Sequence, residues 1–180
     1  MTGASGVAVV VTDYGGTITP LWQRRGDPRR PVDPYAAAAL HVLRRHGGKR
    51  LIVASNTRTG VDRRPALRMG GVDEEFDAVF QSAPLRLAKP HPEFYAWVLA
   101  AAGCRADEVL WVGDNLEKDV IGPAQHGART ALVRRDGLRP REELPAGTVL
   151  IHHIGDLVPW LVPHHRKEET PWAGTHIGGG

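Results

Sequence analysis

The sequence of 180 residues predicts an α/β fold: a doubly wound, mainly parallel sheet with helices on both faces. Three observations carry that expectation. Short β-branched runs alternate with helical patterns along the chain, the order that a parallel sheet with crossover helices requires. Asp13, Ser55 and Asp114 all fall at predicted strand ends, the edge where open parallel sheets bind ligands. The composition, 42% hydrophobic and 24% charged, suits a globular chain with a sizeable core.

The elements follow in order. Residues 7–11 read as a buried strand bounded by Gly6 and the Gly15-Gly16 turn. Residues 20–32, PLWQRRGDPRRPV, read as a loop rich in Pro, Gly and Arg. Asp33-Pro34 supplies an N-cap and a first-turn proline for a helix over 35–46, which Gly47-Gly48 stops. A strand over 51–54 ends at Ser55-Asn56, a weaker helix covers 61–69, and 78–81 is a short strand. Pro92 opens a helix to Ala102, ended by Gly103, and a strand over 108–112 runs into Gly113-Asp114. A helix over 119–126, strands over 129–133 and 148–151, and a helix over 154–161 complete the pattern. Trp97 and Trp111 are expected in the core. Residues 1–162 form a single domain in this reading, and 163–180 a flexible polar tail.

Charge and composition exclude several classes. The net charge of +3 is too mild to indicate nucleic acid. The single cysteine, Cys104, excludes an internal disulfide framework. A Lys/Arg-led signal sequence and an apolar run of spanning length are both missing, which leads to the expectation of a soluble, cytoplasmic protein.

Four stretches stand in a fixed order: VVVTDYGGTIT with Asp13, LIVASN with Ser55, AKPHPEFY with Lys89, and VGDNLEKD with Asp114 and Asp119. Over about residues 7–135 this pattern resembles the haloacid dehalogenase (HAD) superfamily, most of whose members are Mg²⁺-dependent phosphatases. The resemblance implies a HAD-like α/β fold and residue roles. Asp13 would attack phosphorus and carry an aspartyl-phosphate. Asp13, Asp114 and the main-chain carbonyl of Gly15 would bind Mg²⁺, which prefers oxygen ligands. Lys89 would neutralise the phosphoryl oxygens, and Ser55 would donate its hydroxyl to one of them. Thr17 would orient the nucleophile loop, Asn56 would support the site, and Asp119 would hold Lys89 or a water on the metal.

One position departs from the family pattern. HAD phosphatases usually carry a second aspartate two residues after the nucleophile, as general acid and base. Here that position is Gly15. Such help is worth roughly 10² to 10⁴ in rate, so acyl, aryl and phosphoanhydride leaving groups should be favoured over alkoxides. The pattern leaves two alternatives: a catalytically weakened binding or regulatory protein, or a HAD-type hydrolase of a C–P or C–halogen bond. Against the second, dehalogenases carry an aromatic residue where Gly15 stands, and phosphonoacetaldehyde hydrolases need an inserted cap. Neither interval, 13–55 or 55–89, has room for a cap domain, so the site is expected to be open and to suit a large phosphorylated or otherwise anionic substrate. Trp22 and the pairs Arg24-Arg25 and Arg29-Arg30 fall in the mouth loop, where they would contact substrate or form a solvated basic loop. His91 lies close to Lys89, as a substrate contact or a helix-start residue.

Overall fold

The computed structural model describes residues 6–20 and 31–162. Six strands are present: β1 (Val9–Thr12), β2 (Arg50–Ser55), β3 (Ala78–Gln81), β4 (Val109–Gly113), β5 (Arg129–Val133) and β6 (Val149–Ile151). They form one sheet in the order β3-β2-β1-β4-β5-β6, with every neighbouring pair parallel. The helices are α1 (Pro34–Arg45), α2 (Arg64–Met69), α3 (Ser82–Leu85), α4 (Pro92–Ala102), α5 (Gly122–Gln125) and α6 (Val158–Leu161).

Strand periodicity separates two cores. Val9 and Val11 of β1 join Val109 and Trp111 of β4 against Phe94, Tyr95 and Val98 of α4. Val10 points the other way, with Leu110 and Val112, against Leu40 and Leu43 of α1 and Leu157 and Leu161 near α6. Successive side chains on a strand face opposite sides, so an uninterrupted apolar run is what a strand covered on both faces needs. The order of strands reverses between β1 and β4. The crevice at such a switch point opens at the carboxyl ends of those two strands, where Asp13 and Asp114 stand.

Local signals account for the helix boundaries. The Asp33 carboxylate accepts from the N–H groups of Tyr35 and Ala36 at 2.9 and 3.1 Å, and Pro34 opens α1. Helix α2 starts at Arg64 rather than at residue 61. Gln81 accepts from the Arg63 N–H at 2.8 Å and Asp62 from the Arg64 N–H at 3.1 Å, which holds this stretch outside the helix. The expected helix over 119–126 begins earlier, as a π-helical turn Leu116–Ile121 that passes into α5. Asn115 caps that turn by accepting from the Lys118 N–H at 3.0 Å. Pro123 has no N–H for an α-helical bond to the Asp119 carbonyl, so the wider turn meets no competition there.

Trp97 corrects an expectation: it is 49% exposed. Helix α4 is apolar almost all round, and Phe94, Tyr95, Val98 and Ala102 take the buried stripe, which leaves Trp97 outside it. Trp111 is fully buried. No described helix is long and apolar enough to cross a membrane.

Candidate active site

The site begins where β1 ends. The Asp13 N–H still donates to the Val112 carbonyl at 2.8 Å, so the nucleophile candidate is anchored to the β1–β4 ladder one residue beyond the strand. The chain then turns. Ile18 N–H reaches back to the Tyr14 carbonyl at 3.2 Å, and Gly16 N–H donates to Thr19 Oγ1 at 3.0 Å. Gly16 takes a left-handed φ of +79°, and a Cβ there would fall 2.4 Å from an Asp114 carboxylate oxygen. A side chain at Gly16 would therefore collide with the Asp114 carboxylate.

Lys89 enters from the loop between α3 and α4. Its ammonium donates to Asp13 Oδ1 at 2.9 Å and to Asp119 Oδ1 at 2.6 Å. All three side chains are buried, and Lys89 is 3% exposed. Burial pulls the Lys89 ammonium down, but Asp119 and Asp13 more than offset this and hold it above the ordinary lysine range. Burial pushes the Asp119 carboxyl above the ordinary carboxylate range, against the pull of Lys89. The other Asp119 oxygen accepts from the Asn115 N–H at 3.1 Å.

Asp13, Asp114 and Asp119 each offer a carboxylate oxygen, and these atoms all lie within 4.8 Å of one another. Hard oxygen donors in this number fit a divalent cation such as Mg²⁺. Ser55 is buried at the end of β2, with a long 3.5 Å contact to the Asn56 carbonyl. The Thr17 hydroxyl is buried without a hydrogen-bond partner among the described residues, an uncommon state for a polar atom. His91 is exposed and caps α4, its Nδ1 accepting from the Glu93 N–H at 3.3 Å. Trp22, Arg24, Arg25, Arg29 and Arg30 lie outside the described residues.

Comparison with known proteins decides the family. The family model described as haloacid dehalogenase-like hydrolase matches residues 5–127. This chain belongs to that family. Within it, the chain is 36% identical over 115 residues to a phosphoserine phosphatase of Thermus thermophilus, a match covering 63% of this chain and 45% of the relative. It is 32% identical over 130 residues to the pyrophosphatase PpaX of Bacillus cereus, covering 71% of this chain and 58% of the relative. The chain thus spans about half the length of these relatives. A solved HAD phosphatase from Thermococcus onnurineus shares the fold with a TM-score of 0.69 at 18% identity, covering 85% of this chain and 97% of that one.

Three residues around this site receive no role from the sequence alone: Arg134 lies outside the four motifs, and Tyr95 and Gly113 lie within them. Arg134, at the end of β5, donates to the main-chain carbonyl of Asp114 and is itself held by Glu142 at 2.9 Å. The Tyr95 hydroxyl donates to the Lys118 carbonyl at 2.8 Å and so supports the π-helical turn that carries Asp119. A Cβ on Gly113 would lie 2.3 Å from Asp119 Cβ and Cγ. That glycine can be found in the sequence, but its reason is the close passage of Asp119. Gly113→Ala should displace Asp119, cost about 1–3 kcal/mol by overpacking and lower any Lys89-dependent turnover by roughly 10²-fold. Thermal unfolding and steady-state kinetics check both effects.

Proposed function

We propose that this chain is a Mg²⁺-dependent phosphohydrolase or phosphotransferase that works through an aspartyl-phosphate on Asp13. The observation that carries this reading is the buried Lys89 ammonium shared between Asp13 and Asp119, beside a third carboxylate. Phosphoryl transfer needs an aligned nucleophile and cancellation of charge, and this group offers both. Asp13 and Asp114, with the Gly15 carbonyl, would hold Mg²⁺, which when bound draws charge off the phosphoryl oxygens. Asp119 has one oxygen on Lys89 and the other on a main-chain N–H, which suits it to hold the lysine.

An Asp13 carboxylate oxygen forms the bond to phosphorus, and the bond to the leaving oxygen breaks with its electron pair. Lys89 stabilises the phosphoryl oxygens, and Ser55 donates its hydroxyl to one of them. Thr17, buried four residues after Asp13, would orient the nucleophile loop. Gly15 offers no proton to the departing oxygen. Tyr14 is no substitute, because its ring is fully buried in the core under the Arg63 guanidinium, 4.6 Å from its centroid. The leaving group therefore departs as an anion, which favours acyl, aryl and phosphoanhydride substrates. One of the relatives is named a pyrophosphatase, and a phosphate leaving group meets that requirement. In the second step water attacks the phosphorus of the aspartyl-phosphate, freeing inorganic phosphate and the carboxylate. With no base at Gly15 this step is slow, and another acceptor can compete for the phosphoryl group.

We read residues 1–162 as one uncapped domain, with all six described strands in a single sheet. An uncapped site admits a large phosphorylated substrate. The reading is tested by a panel of phosphates with Mg²⁺ present. Acetyl phosphate and p-nitrophenyl phosphate should turn over at least ~10²-fold faster than an alkyl phosphate, and chelation of the cation should stop turnover. A flat dependence on leaving-group pKa would refute the missing-acid argument. The absence of both turnover and a phosphoryl adduct by intact mass would refute the enzyme.

A further inference from the structure

We propose that Asn56 is the positioning residue for Lys89, acting through a two-point clamp of its amide on the lysine main chain. The proposal rests on the assignment of Lys89 to the phosphoryl group. Lys89 belongs to neither a strand nor a helix. A lysine also carries a long flexible stem, so something must fix where that stem starts.

The main-chain polar groups of Lys89 both go to one side chain. Asn56 Nδ2 donates to the Lys89 carbonyl at 2.7 Å, and the Lys89 N–H donates to Asn56 Oδ1 at 3.0 Å. Only one orientation of the amide satisfies both bonds, so the geometry assigns its oxygen and nitrogen. Asn56 follows the last residue of β2, and β2 pairs with β1, the strand that leads into Asp13. The clamp therefore ties the lysine loop to the sheet one strand away from the nucleophile.

The next residue repeats the device in reverse. Ser82 Oγ accepts from the Thr57 N–H at 2.8 Å and contacts the Thr57 carbonyl at 3.2 Å, while Thr57 Oγ1 accepts from the Ala83 N–H at 3.2 Å. The segment from β3 to Lys89 is thus held at its start by Ser82 and Thr57 and at its end by Asn56. Its end delivers the ammonium between two carboxylates in a pocket where Lys89 is 3% exposed. A displacement of about 1 Å at such a group can cost roughly 10²-fold in rate.

The test is a double-mutant cycle with p-nitrophenyl phosphate and Mg²⁺, joined to amine labelling read by mass spectrometry. Asn56→Ala should lower kcat by roughly 10- to 100-fold with KM within ~3-fold. In a Lys89→Ala background the same change should cost less than ~2-fold, because the lysine it positions is gone. Asn56→Asp keeps the acceptor and loses the donor, and should fall between the two. Lys89 should label at least ~10-fold faster in Asn56→Ala than in wild type, with Lys49 and Lys118 unchanged. Equal kcat losses in both backgrounds, or labelling that rises at all three lysines together, would overturn the clamp. If Lys89→Ala leaves turnover intact while Asn56→Ala selectively exposes Lys89, the clamp stands and the catalytic assignment of Lys89 falls.

Discussion

Asp13→Asn should lower turnover of acetyl phosphate and p-nitrophenyl phosphate by roughly 10⁴-fold or more. The amide is a poor nucleophile and cannot form the acyl phosphate, so the phosphoryl adduct seen by intact mass should vanish with it. The variant should remain folded. Asparagine has the shape of aspartate, and Asp119 still faces Lys89 at 2.6 Å. Loss of activity with an unchanged unfolding transition assigns the chemistry to this carboxylate. Turnover within ~10-fold of wild type would remove Asp13 as nucleophile.

The second large effect is a gain. Gly15→Asp should raise turnover of an alkyl phosphate by roughly 10² to 10⁴-fold, the usual worth of a general acid, and flatten the dependence on leaving-group pKa. Hydrolysis of the aspartyl-phosphate should speed up as well, since the same group would take a proton from the attacking water. The left-handed backbone of this loop falls on Gly16, so an aspartate at position 15 meets no such backbone strain. Gly16→Asp is the matched control and should lose activity. If Gly15→Asp leaves alkyl phosphate turnover unchanged, more than an acid separates this site from an alkyl phosphatase.

The sheet was legible because its strands are buried on both faces. The runs at Val9 to Thr12 and Val109 to Val112 leave no other use for so much β-branched and apolar surface. Asp33-Pro34 marked the start of α1 because an N-cap is a local contact between residues two and three apart. The parts that escaped are long-range or degenerate. The amide of Asn56 finds Lys89 across 33 positions, and Arg134 finds the Asp114 carbonyl across 20. Nothing near either residue signals such a partner. In α4, Phe, Tyr, Trp, Val and Leu crowd one helix, so periodicity could not choose the buried face and Trp97 was misplaced. The turn at Leu116–Ile121 shows a third limit. The sequence predicts this helix from Asp119, three residues late, and the turn is supported by a contact across 23 positions, the Tyr95 hydroxyl on the Lys118 carbonyl.

The pairing of β1 with β4 also bears on how the chain reaches this state. Val9 lies beside Val109, so the central contact of the sheet closes a loop of 100 residues. Closure over that distance costs entropy before any contact rewards it, and parallel pairings of this kind slow folding. Asp13 is made before its acidic neighbours, which arrive only with β4 and the turn behind it. A nascent chain that stops short of β4 holds Asp13 without Asp114 and Asp119. The three carboxylates are thus brought together by one long-range pairing, of β1 with β4, rather than by local stretches of chain.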